Sequence, residues 1–332
     1  MGRTVLDHFG IIDRELRLYI AVGANHPSNG FVAYLKYVPT DKPTIWRSRA
    51  GIFYDRVLRF YSVKNAWLAS STMVLGFDEV TMSSIPIVPH DRVWAIVDPR
   101  EKAYELLHHC NDLLECMAAE LVADIAMECG VDVNCVGVTG SIMFGIHNVN
   151  YSDIDIVIYG RKCVEQVITT LMRSKLITQI DDVRMNRIVE NIARVHGISK
   201  DLARAVYSIP RRGLYRGREV TLVYAHDKPI PMERGVKVQR CAHVVIAKEP
   251  GDVGTVMYPA YFKSRLLSIN GVDIGDEVEV LAYESVFSIP MFFGGVFAVH
   301  ALLQELENGK LRLVIGVREC DSYLKWIRSY LK

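Results

Sequence analysis

The chain has 332 residues, half of them hydrophobic, and a formal net charge of +1. That length suffices for about two or three domains with sizeable cores. The near-zero charge excludes a global field that would draw in nucleic acid, so any such binding needs a local patch. The seven cysteines (110, 116, 129, 135, 163, 241 and 320) are odd in number and form no Cys-x-x-Cys pair. This argues against zinc fingers and a disulfide framework, and for reduced thiols in a cytoplasmic protein.

In chain order, residues 1–97 form a β-rich N-terminal region. Its first eight residues lack the apolar core of a signal peptide. Strands are predicted over 31–38 and 56–63, with turns at 26–30 and 39–43. Asp98, Pro99 and Glu101 then make a helix start: a cap, a proline at the first helical position and an acid placed to reach back. One helix is predicted from there to about residue 128. It carries Leu106, Cys110, Leu113, Met117, Leu121 and Ile125 on one face and is ended by Gly130.

A strand over 134–138, a Gly140-Ser141 turn, a short helical piece and a second strand to Gly160 follow. Helices are predicted over 161–176, over 181–195 and from Ser199, and a strand over 220–224. The pattern then returns to β at 244–247, 276–284 and 311–316, and residues 321–332 read as a short terminal helix. Residues 286–303 carry no Asp, Glu, Lys or Arg and approach the length of a bilayer span. Pro290, Gly294-Gly295 and His300 interrupt them, so a buried strand, a turn and a buried helix or strand are expected, with no membrane partner. The composition divides the chain into 1–97, 98–225 and a β-rich 226–332.

The chemistry concentrates in Ser152-Asp-Ile-Asp-Ile-Val-Ile158. Side chains alternate faces along a strand, so Asp153 and Asp155 point the same way. Two adjacent carboxylates repel, a cost that a hard dication between them would relieve. The apolar residues that follow root such a strand in a core. Eleven residues separate Asp153 from Ser141, which follows Gly140. A Gly-Ser turn that opens a helix offers free N–H groups, a hydroxyl and a close backbone approach to a phosphate.

An apolar strand, Gly-Ser, a short helix and loop, and then Asp-x-Asp in an apolar strand resembles the signature of the DNA polymerase β-like nucleotidyltransferase superfamily. More loosely, the chain is similar to archaeal predicted nucleotidyltransferases. The resemblance implies an α+β molecule. Its nucleotidyltransferase α/β core, a mixed sheet with helices, would be flanked by β-rich N- and C-terminal regions. It also implies transfer of a nucleoside monophosphate from an NTP to an acceptor hydroxyl, with release of pyrophosphate. Asp153 and Asp155 would hold Mg²⁺ or Mn²⁺, with Gly140 and Ser141 on the phosphates.

Active members also have a third carboxylate on a later strand. Glu219, heading Val220-Thr-Leu-Val-Tyr224, is the candidate, and Asp227 is the fallback. The preceding Arg211-Arg-Gly-Leu-Tyr-Arg-Gly-Arg218 places four arginines within eight residues. Arg211 and Arg212 are expected to bind the triphosphate or an RNA backbone, since the guanidinium fork matches phosphate oxygens. Arg47, Arg49, Tyr54, Arg56, Arg59, Tyr61 and Lys64 interleave basic and aromatic residues as a single-strand binding patch would. His147 sits in the loop before the aspartates, where packing is expected. The acceptor (RNA, protein or small molecule) is left open. The alternative is a catalytically inactive nucleotide- or RNA-binding protein.

Overall fold

The computed structural model describes residues 4–58, 62–70 and 73–331. Among them, strands within Gly10–Val97 build an eight-stranded antiparallel sheet, those within Val136–Ala225 a four-stranded mixed sheet, and those within Gly235–Ser329 a six-stranded sheet. In the last sheet, Gly235–Lys248 pairs along its length with Gly295–Leu306. That pairing closes five strands into a barrel, with Tyr323–Ser329 added beside Gly295–Leu306.

This overturns the expectation of an α+β molecule on a helix-flanked nucleotidyltransferase core. Strand outweighs helix, 39% to 27%, several sheets are present, and one closes on itself. The physical reason lies in the two faces of the central strand, Ile154–Tyr159. Ile154, Ile156 and Ile158 pack in one core with Leu121, Val122 and Ile125 of helix Leu113–Cys129 and with Val164 and Val167 of helix Arg161–Leu171. Val157 and Tyr159, on the opposite face, pack in another core with Phe9, Ile11 and Ala21. That face is covered by the N-terminal sheet and not by helices. The Tyr159 hydroxyl ties the two sheets, donating to the Asp7 carbonyl at 2.7 Å.

Several local expectations also change. The long helix is two, Pro99–His108 and Leu113–Cys129. Asp98 caps the first by accepting from the Arg100 N–H, and Asp112 caps the second by accepting from Leu114 and Glu115. Residues 56–63 do not form one strand: Phe53–Arg56 is a strand, residues 59–61 lie outside the described set, and Val63–Ala69 is a helix. The C-terminal stretch is strand Tyr323–Ser329, not helix. The charge-free 286–303 stretch enters a short helix and a 3-10 turn and then a barrel strand. Among the described residues, no helix is long and apolar enough to cross a membrane.

The cysteines do not stand as free thiols. Six pair as Cys110–Cys116, Cys135–Cys163 and Cys241–Cys320, and only Cys129, buried in the helix core, is unbonded.

Candidate functional site

Asp153 and Asp155 stand at the start of strand Ile154–Tyr159, which runs parallel to Arg218–Ala225 and antiparallel to Val136–Thr139. Asp155 is flanked by Thr221 on one neighbour and Thr139 on the other. Farther along the same face the N-terminal sheet covers Val157 and Tyr159, whereas the two aspartates look into a cavity of about 730 Å³. The turn before them is built by Ser152, whose N–H donates to the Asn148 carbonyl while its hydroxyl accepts from the Asn148 N–H. Arg218 fastens this loop from outside, donating to the carbonyls of Val149 at 2.8 Å and Asn150 at 3.1 Å.

The two carboxylates feel each other. The negative charge of Asp155, reinforced by burial, pushes the Asp153 carboxyl up to about 6, against a smaller pull from Arg212 and Lys36. A half-buried pair of oxygen donors with unrelieved repulsion fits a hard dication such as Mg²⁺ or Mn²⁺.

Gly140 lies against this pair for a reason that the sequence pattern did not supply. Its φ is +69°, and a Cβ there would collide with the Asp155 carboxylate. The glycine is therefore required by the aspartate as much as by any phosphate. Ser141, 6% exposed, lines the cavity beside Thr139.

Arg211 and Arg212 also line the cavity. Burial holds the Arg211 guanidinium below its ordinary value, and its terminal nitrogen donates to the Ser285 hydroxyl at 2.9 Å. The other two arginines of the cluster serve elsewhere. Arg216 pairs with Glu120 on helix Leu113–Cys129, and Arg218 holds the loop.

The third-carboxylate candidates do not join the pair at the cavity. Glu219 is in ion pairs with Arg184 and, at 2.7 Å, with Arg212, and it is not part of the cavity wall. Asp227 lies beside Gly160, at the far end of the central strand. That is a strand length of about 20 Å from Asp153.

The N-terminal basic and aromatic residues do not form one patch. Tyr54 is buried, Arg49 pairs with Glu115 at 2.8 Å, and the Arg47 guanidinium lies over the Phe53 ring. Arg59 and Tyr61 fall outside the described residues. Among the described residues of this group, Arg56 alone lines the cavity. His147 packs the loop, with Nε2 2.8 Å from the Asp112 carboxylate.

Asp7, His8 and Lys36 are among the wall residues that escaped sequence reasoning. Asp7 is buried, accepts from the Gly23 N–H at 2.8 Å, and bonds the adjacent His8 ring through Nδ1. The carbonyl of His8 accepts from the Thr139 hydroxyl at 3.1 Å, which places this pair one residue across the sheet from Asp155. Adjacent Asp and His carry no sequence signal, because only the docking of the N-terminal sheet brings them to the cavity. The wall also includes residues of helix Asp182–His196 and, on the barrel side, Tyr258, Tyr283 and Glu284.

Compared with family models, with curated proteins and with solved structures, the chain matches none of them.

Proposed function

We propose that this chain is a metal-dependent nucleotidyltransferase that moves a nucleoside monophosphate from an NTP to an acceptor hydroxyl and releases pyrophosphate. One observation carries this reading. A repelling carboxylate pair and two arginines, Arg211 and Arg212, face the same cavity, whose volume of about 730 Å³ suits a nucleotide.

Asp153 and Asp155 hold the cation, which supplies charge neutralisation on the phosphates when bound. Arg211 and Arg212 hold the triphosphate, and the Ser141 hydroxyl donates to a phosphate oxygen. Glu219 acts at one remove: its ion pair orients Arg212. The His8 imidazole, held by the Asp7 carboxylate, takes the proton of the attacking hydroxyl. Rings of Tyr37 and Trp46, with centroids 5.6 Å apart, offer the base an aromatic wall.

The test is turnover of each NTP with Mg²⁺ or Mn²⁺ and varied hydroxyl acceptors, followed as pyrophosphate release. Asp155→Asn should abolish it in a folded protein. Neither turnover nor metal-dependent NTP binding by the native chain would sink the proposal.

A second reading, an inactive nucleotide- or RNA-binding protein, is favoured by the engagement of Glu219 with two arginines. Thermal melting separates the two. In the presence of NTP, the dication raises Tm only where the metal site works. RNA binding without that effect selects the second reading.

A further inference from the structure

The outer surface of the barrel carries a second cluster, remote in character from the carboxylate cavity. On strand Gly235–Lys248, Ala242 and Val244 are buried in the main core, so the alternate residues Cys241 and His243 face outward. His300, on strand Gly295–Leu306, is the direct cross-strand partner of His243, and their ring centroids are 4.5 Å apart.

At this point the other neighbour of strand Gly295–Leu306 changes. Leu311–Ile315 pairs with its C-terminal part, and Tyr323–Ser329 pairs with its N-terminal part as far as His300. The loop between those two strands crosses the gap and brings in Cys320, which is 3% exposed. Ligand atoms of Cys241, His300 and Cys320 all lie within 4.8 Å of one another.

We propose that Cys241, Cys320 and His300, with His243 beside the fourth position, form a site for a borderline-soft divalent cation of the zinc class. The donor set selects it. Thiolate sulfur and imidazole nitrogen favour zinc over magnesium or calcium, and two sulfurs with one or two nitrogens suit tetrahedral coordination.

The histidine is already oriented for the role. Its Nδ1 lies 2.7 Å from the Asp321 carbonyl, which can only accept. The ring proton is therefore on Nδ1, and Nε2 keeps its lone pair for a metal. A backbone carbonyl behind a ligating imidazole is the usual way such a ring is held.

The disulfide Cys241–Cys320 and the metal site are alternative states of the same two sulfurs. A phosphine reductant supplies two electrons and is oxidised to the phosphine oxide, while water supplies the oxygen and the two protons that complete the two thiols. Zinc then displaces those two protons to water as the two Zn–S bonds form. Either state pins the 316–322 loop, and with it the last strand, to the barrel.

The experiment uses the full chain, reduced with a phosphine, stripped by chelator and titrated with Co²⁺ as an absorbing probe. The thiolate-to-cobalt charge-transfer band should saturate at one equivalent, and Zn²⁺ should then bleach it. Cys241→Ser, at an outward position that leaves the barrel core intact, should remove the band while Tm without metal stays unchanged. His300→Ala should weaken zinc binding by roughly tenfold or more. The proposal is overturned if the reduced, folded chain gives no thiolate-to-cobalt band. It is also overturned if the band survives in the Cys241→Ser/Cys320→Ser double variant, which would assign it to other cysteines.

Discussion

Replacing Asp155 by Asn should stabilise the metal-free protein while removing the proposed nucleotidyl transfer. The substitution keeps the side-chain shape, so the contact with Gly140 is preserved, but it deletes the charge that most perturbs Asp153. That carboxyl stands at about 6 against an ordinary 3.8. The difference of roughly two units is worth about 3 kcal/mol at 1.36 kcal/mol per unit. Burial, the second cause, remains in the variant, so about 1–2 kcal/mol should be recovered.

The native state binds this proton more tightly than the unfolded chain does. Wild-type stability from Asp153 is therefore fully present below about 3.8 and is lost as pH rises through about 6. Urea unfolding in chelator should thus show Asp155→Asn more stable than wild type at pH 8, with the gap closing near pH 4. An Asn variant no more stable at pH 8, or a gap independent of pH, would refute the argument that the two carboxylates repel across the cavity.

Two further outcomes test the framework around the site. His26 accepts from the Val32 N–H through Nδ1 at 3.2 Å and bonds the Val5 carbonyl through Nε2 at 3.1 Å, and burial lowers its ring to about 4. The unfolded chain takes up this proton first. The contribution of His26 to stability should therefore rise between about pH 4 and 6.5, by up to about 3 kcal/mol, and His26→Gln should remove that rise relative to wild type in the same urea series. Arg312 is fully buried, pairs with Glu279 at 2.9 Å and donates to the Glu233 carbonyl at 3.0 Å. Arg312→Ala should cost about 3–5 kcal/mol by stranding the Glu279 charge, and Arg312→Met with Glu279→Leu should recover most of it; equal losses in the two would show that the pairing is not the cause.

The legible parts of the chain were those governed by local rules. The two-residue alternation gave the shared face of Asp153 and Asp155. The Asp98 cap and the left-handed Gly130 stand at helix ends where caps were expected. The break at 109–112 was masked because the apolar spacing runs through it unchanged, although Asp112 is itself a capping residue type. The terminal segment misled for the opposite reason. Tyr323-Leu-Lys-Trp-Ile-Arg is short enough to read either way, and pairing with His300 and its neighbours decides for strand. Nothing local could disclose cysteine partners 28 and 79 residues apart. Nor could it show that Glu219 would be claimed by Arg184 and Arg212, or that Asp7 and His8 would arrive at the cavity. The helix-flanked core failed at the same level, because the partner that covers each face of a strand is a choice made by the whole chain.

The cavity belongs to no single segment: Lys36 reaches it from the first sheet, Asp153 and Asp155 from the second, and Tyr283 from the barrel. No excised piece of the chain can therefore carry the whole cavity, however well it folds. A guest seated there also acts as mortar between three courses of masonry. Its binding free energy enters the opening equilibrium of each sheet at once, so units that could loosen separately when empty must come apart together when filled.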